Sequence, residues 1–157
     1  MSPSISSRVR QLDTFFARAS ALPQDSELRA DMARHGIVLT CGFIERCVEE
    51  IILDRVKKLA NVKVQKFIKG HFKRGTNYNC STIALLLDRF DADWATNFQL
   101  LIKDRDDLVQ AVLSAYEVRN SIAHGGNSTK GLANVIGWFK AAQEVVEAIS
   151  LATNSSK

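Results

Sequence analysis

A chain of 157 residues, 46% hydrophobic and 24% charged, has the size and balance of one globular domain able to bury a core. Three cysteines (Cys41, Cys47, Cys80) form no CxxC pair and are odd in number, which fits reduced thiols better than a disulfide framework. The net charge of +4 is modest, "MSPSISSRVRQLD" lacks the apolar run of a signal peptide, and "GIVLTCGFI" is far too short to span a membrane.

The expectation is a cytoplasmic protein with no membrane segment, a single domain over 1–157 with frayed tails at about 1–5 and 153–157. The first helix is expected from Ser6 to Ala21, with Val9, Leu12, Phe15, Phe16 and Ala19 at helical spacing. Pro23 breaks it. A long helix then runs from about Asp25 to Ala60, where Ile37, Cys41, Ile44, Val48 and Ile51 repeat at steps of four and three. Gly36 and Gly42 lie inside it and cost helix stability, so they point to a close helix–helix approach, with a subunit interface as one place for it.

The charge is unevenly placed. Residues 55–74 hold eight Lys/Arg and no acid, leaving −4 over the remainder of the chain. Such an asymmetry suits a phosphate-binding surface as well as it suits a solvated face. "NVKVQKFIKGHFKRGTNYN" alternates in part like a strand and in part like a helical turn; its glycines and asparagines favour an exposed basic loop. Lys63, Lys66, Lys69, Lys73 and Arg74 are its RNA-binding candidates.

Asn79 can cap a short helix over "CSTIALLLDRFD", and Trp94 opens another. Asp104 is expected to cap the helix from Arg105 to about His124, which Gly125 and Gly126 end. "NST" offers a cap ahead of a last helix, Leu132 to about Ala152. The fold class is all-α, with five to seven helices and a basic loop insertion.

The helix before the double glycine poses the chemical question. Leu108, Val112, Ala115, Arg119 and Ile122 follow one seam, so a guanidinium occupies a position meant for an apolar side chain. Val109, Leu113, Tyr116 and Asn120 form the neighbouring row, with His124 one turn further on. An unpaired buried guanidinium is costly, so this face should open into a polar cleft or meet a charged partner. Arg119, Asn120 and His124 are expected to project toward the packed side. Together they suit phosphoryl chemistry without a metal: the arginine neutralises charge on a phosphoryl oxygen, and the histidine moves a proton to or from a hydroxyl. On RNA this becomes attack of a 2′-OH on the adjacent phosphate.

"RNSIAH" within "SAYEVRNSIAHG" resembles the Arg-polar-x-x-x-His signature of the HEPN superfamily, in its RiboL-PSP-HEPN branch. The resemblance extends over most of the chain, including the long helix before a basic segment. It implies a small HEPN-like helical bundle, a homodimer, and metal-independent endoribonuclease activity giving a 2′,3′-cyclic phosphate and a 5′-OH. It also implies a toxin or phage-defence setting, with an antitoxin or defence-system partner protein. Some HEPN proteins carry a tyrosine two residues after the histidine, modified by a partner nucleotidyltransferase; Gly126 stands there in this chain. The alternative is a non-catalytic HEPN-like module that binds RNA or protein.

Other groups carry less. His35, His71 and His124 have no metal-ligand spacing, and Asp88, Asp91 and Asp93 suit helix capping better than a metal, so no cofactor and no metal is expected. Cys41, Cys47, Trp94 and Trp138 read as core. Glu45 flanks the seam of the long helix, where it can pair with Arg119 or orient His124, and it joins Arg119, Asn120 and His124 as a catalytic candidate.

Overall fold

Ser2, Ser4 and Ile5, within the stretch expected to fray, are docked. In the computed structural model, which describes residues 2–72, 76–126 and 128–154, the Ser2 hydroxyl accepts from the Ile5 amide at 3.2 Å and donates to Glu50 Oε1 at 2.5 Å. Ser4 donates to the other Glu50 oxygen at 2.9 Å, and Ile5 is buried. A serine cap followed by proline at the first helical positions therefore starts α1 (Pro3–Ser20) earlier than periodicity alone suggests. The other end is similar: Thr153 is buried, donates to the Ile149 carbonyl at 2.9 Å and accepts from Arg55 Nε at 3.4 Å.

Six more helices follow among the described residues: α2 (Glu27–Leu59), α3 (Val62–His71), α4 (Cys80–Asp88), α5 (Ala92–Ile102), α6 (Asp106–Ala123) and α7 (Leu132–Ala152). No strand occurs among the described residues. The all-α expectation is met at the upper end of its helix count. The first helix junction is locked by Arg29, whose Nη1 donates to the carbonyls of Ser20 and Leu22 at 2.9 and 2.8 Å, groups left open by the end of α1.

Three expectations need correction. The first part of the basic stretch after Ala60, Val62–His71, is a helix rather than a loop: Asn61 Oδ1 accepts from the amides of Lys63 and Val64, both at 3.1 Å, and Gln65 Nε2 donates to the Ala60 carbonyl at 2.7 Å. A side-chain cap outweighs a lone glycine. Asp104 does not cap α6; Arg105 holds the N-cap position without a side-chain cap bond. Its guanidinium instead binds Asp107 at 3.0 Å and Glu144 of α7 at 2.9 Å. Gly131, not the "NST" stretch, holds the N-cap position of α7, and Ser128 only closes a turn onto the Lys130 amide at 3.2 Å.

The core forms where α2, α6 and α7 pack on one another. α1 closes α2, α5 lies on α7, and α4 packs on α5. Phe16, Phe43 and Phe139 cluster at its centre, with ring centroids 5.3 and 5.4 Å from Phe139, the first pair tilted and the second edge-on. Each fully buried large apolar side chain of this kind stabilises by roughly 1.5–3 kcal/mol relative to exposure. Gly36 explains the approach: a Cβ there would meet the Phe16 ring at 2.7 Å and Val135 Cγ1 at 3.3 Å. The close contact is between helices of one chain. Gly42 has nothing within 4 Å of such a Cβ, so it serves no contact of this kind. Cys41, Cys47 and Cys80 are free and buried, and Trp94 is buried too, whereas Trp138 packs half-buried against the core. α3 buries no residue and packs chiefly on α2. No helix among the described residues is long and apolar enough to cross a membrane.

Candidate phosphoryl-transfer site

The seam of α6 behaves as its spacing predicts for three turns: Leu108, Val112, Ala115 and the neighbouring Tyr116 are buried. The next seam position is Arg119. Its guanidinium is accommodated because two acceptors from distant parts of the chain converge on it. Glu45 Oε1, from the middle of α2, lies 3.2 Å from Arg119 Nη2, and Asn77 Oδ1, from the segment before α4, lies 3.1 Å from the same nitrogen. The Arg119 and Glu45 side chains retain 16% and 17% exposure, so the pair sits at the lip of the core rather than on the open surface. The Tyr116 ring, with its centroid 5.3 Å from Arg119 Cζ, forms the floor.

The groups behind the guanidinium are neutral. Burial pushes the Cys41 thiol up to about 12, against the opposing pull of the Arg119 charge. Burial likewise raises Tyr116, whose hydroxyl donates to the Cys41 carbonyl at 3.4 Å, and raises Tyr78. Glu45 is therefore the charged partner facing Arg119, and a half-buried pair of this geometry orients the guanidinium through a charge-assisted hydrogen bond.

His124 is placed by a different device. It is the C-cap of α6, and the chain leaves the helix through a Schellman turn: Gly126 N donates to the Ser121 carbonyl at 2.8 Å and Gly125 N to the Ile122 carbonyl at 3.1 Å. Gly125 takes φ +80°, and a Cβ on Gly126 would strike Ser121 Oγ and lie 2.9 Å from the Ser121 carbonyl oxygen. Both glycines are thus required where they stand. The imidazole is exposed and makes no hydrogen bond or ion pair among the described residues.

The expectation that Arg119, Asn120 and His124 all face the packed side is not met. Five residues of ideal helix turn a side chain by roughly 140° and advance it by about 7.5 Å. Arg119 is accordingly anchored inward, Asn120 is half-buried, and His124 stands in solvent. Of the two arrangements expected for the arginine, a polar cleft or a charged partner, the second is observed: Glu45 pairs with it and Asn77 accepts from it. Asn77 was not a candidate from sequence. Nothing in "TNYN" marks it, because its contact with α6 joins residues far apart in the chain.

Of the basic candidates, Lys63, Lys66 and Lys69 are exposed on α3; Lys73 and Arg74 lie outside the described residues. Among the described residues, no group of three or more His, Cys, Asp and Glu side chains is placed to hold a metal ion. Compared with known families, the chain matches the model of RiboL-PSP-HEPN over residues 4–155. No curated protein and no solved structure matches it.

Proposed function

The chain belongs to the RiboL-PSP-HEPN family, and from that premise we propose that it is a metal-independent endoribonuclease, active as a homodimer in a toxin or phage-defence setting. The observation that carries the reading is the held arginine. Arg119 is fixed by Glu45 and Asn77 at the edge of the core, five residues before an exposed histidine whose backbone is locked by two glycines. A cation prepared in this way loses little freedom when a phosphate arrives.

The reaction needs three things. A base takes the proton of the 2′-OH, whose oxygen then attacks phosphorus. The negative charge of the phosphorane is met by Arg119, with Asn120 orienting the phosphate. An acid protonates the departing 5′-oxygen as the P–O5′ bond breaks, leaving a 2′,3′-cyclic phosphate and a 5′-OH. His124 supplies one proton transfer, and one subunit has only one histidine at this site. Two copies related by a two-fold axis bring two, which is the argument for the dimer. Glu45 acts by positioning Arg119; it has no hydrogen bond to His124.

A second reading has one observation in its favour. The Arg119–Glu45 pair already gives each of these charges a partner of opposite sign, and an imidazolium at a helix C-terminus stabilises the helix without any catalytic role. On that reading the chain is a non-catalytic module that binds RNA or an antitoxin-like partner protein. Incubation of the purified protein with end-labelled RNA in EDTA separates the two. Ribonuclease activity gives fragments ending in a cyclic phosphate; intact RNA supports the binding module. Cleavage that requires Mg²⁺ and leaves 5′-phosphates would overturn the proposed chemistry. Light scattering at micromolar concentration should report twice the chain mass, and a monomer removes the composite site.

A further inference from the structure

The outer face of α3 carries a feature that cleavage chemistry does not use. Lys63, Phe67 and His71 are spaced four apart and so form one stripe along the helix. Phe67 is 66% exposed. Its ring and that of His71 lie with centroids 4.3 Å apart, and His71 Nδ1 is 3.0 Å from the Phe67 carbonyl oxygen, which holds the imidazole against the phenyl ring. Beside the pair, a cleft of about 410 Å³ opens between α3 and α4, lined by Phe72, Tyr78, Leu86, Arg89 and Phe90.

Charge identifies the occupant. α3 contains no acid, and Lys63, at the start of the aromatic stripe, stands in solvent. On its other side Lys66 and Lys69 border a groove shared with Glu49, Glu50 and Asp54 of α2. The cleft next to Phe67 is lined by Arg89 and His71 and by no acid. A polyanion is therefore favoured on the aromatic side. Flat rings set among unopposed cations complement a ligand with both phosphates and accessible ring faces. A single nucleic-acid strand has both, whereas a duplex hides its base faces in the stack.

We propose that the Phe67–His71 pair is a base-stacking platform for single-stranded RNA, with the α3–α4 cleft receiving an unstacked base and Lys63 and Arg89 holding the flanking phosphates. The proposal rests on the RNA reading of the preceding section, but assigns a surface that the Arg119 site does not contain.

The test uses His124→Ala protein, so that bound RNA is not cut. Binding of a labelled single strand and of the same sequence as a duplex is followed by anisotropy across a salt series. Phe67→Ala should weaken single-strand binding roughly ten- to a hundredfold, with the slope of log affinity against log salt unchanged, because the phenyl ring stacks on a base and neutralises no phosphate. Phe67→Trp should restore binding. A 2-aminopurine strand should be quenched on binding and less so with Phe67→Ala. α3 buries no residue, so far-ultraviolet dichroism should show the variants folded. Equal affinity of Phe67→Ala and its parent for the single strand overturns the platform while leaving the ribonuclease reading intact, as does duplex bound as tightly as single strand. Failure of the parent to bind any RNA removes both. A dimer that dissociates on Phe67→Ala with RNA affinity unchanged would assign the face to a second copy of the chain instead.

Discussion

Two regions of this molecule carry positive charge under opposite conditions. At the end of α6, Arg119 lies at the edge of the core with Glu45 and Asn77 on one of its terminal nitrogens. On α3, Lys63, Lys66 and Lys69 stand in solvent on a helix without an acid. The first cation has a fixed direction and most of its charge answered by the protein. The second group has little fixed direction, and its attraction depends on salt. A fixed cation suits stabilisation of one transition state; mobile cations suit affinity for any phosphate backbone. On the proposed reading, the difference gives the chemistry to α6 and retention of the polyanion to α3.

The largest effect that sharpens this division should come from His124→Ala. Loss of a general acid or base typically lowers a rate by about 10²–10⁴-fold. The residue is exposed at a helix end, so the melting temperature should change little and RNA affinity should persist. Single-turnover cleavage with dichroism-monitored melting measures both, and an active His124→Ala protein removes histidine from the mechanism.

Arg119→Ala should also abolish cleavage, but with a structural cost. It leaves the Glu45 carboxylate at the core edge without its cation, which costs about 1–3 kcal/mol. Glu45→Gln tests the comparison more finely. The amide can still accept from Arg119, so stability should fall less than in Arg119→Ala, and kcat should fall while RNA affinity holds. Urea titration and Michaelis kinetics check the pair. A change in KM alone would mean that Glu45 acts in binding.

On α3 the expected effect is smaller and of another kind. Replacing Lys63, Lys66 and Lys69 together by alanine should reduce the salt slope of single-strand binding by about 2, near 0.7 for each phosphate left without its lysine. kcat at saturating RNA should be unchanged. A fall in kcat would merge the two regions into one site.

The smallest effect concerns the three buried thiols, of which Cys41 lies behind the arginine. Burial pushes Cys41 and Cys47 up to about 12 and Cys80 up to about 11, from an ordinary 9.0. The unfolded chain therefore loses these protons first as pH rises. Their contribution to stability is whole below pH 9 and is lost progressively as pH rises through 11 to 12. At pH 8 a thiol reagent should label the native protein slowly, at a rate set by opening, and all three cysteines should react at once in denaturant.

Much of the fold was legible because it is local. Seams at three- and four-residue steps marked α1, α2 and α6, and Asn79, Gly125 and Gly126 marked ends, since periodicity and caps are written in neighbouring residues. Even α3 had its signal, Asn61 ahead of Lys63 and Val64, which the glycines and alternating "VKV" obscured. The arginine in the seam of α6 already implied a charged or polar partner, because an unanswered guanidinium there is too costly. Which partner, and where the histidine points, only the tertiary structure decided. Glu45 and Asn77 lie 74 and 42 residues from Arg119 in the chain and meet it only through the packing of α2 and α4 on α6. His124 is turned to solvent because a helix rotates by about 100° per residue and ends in a left-handed glycine, a geometry that separates two residues which the motif writes as one unit.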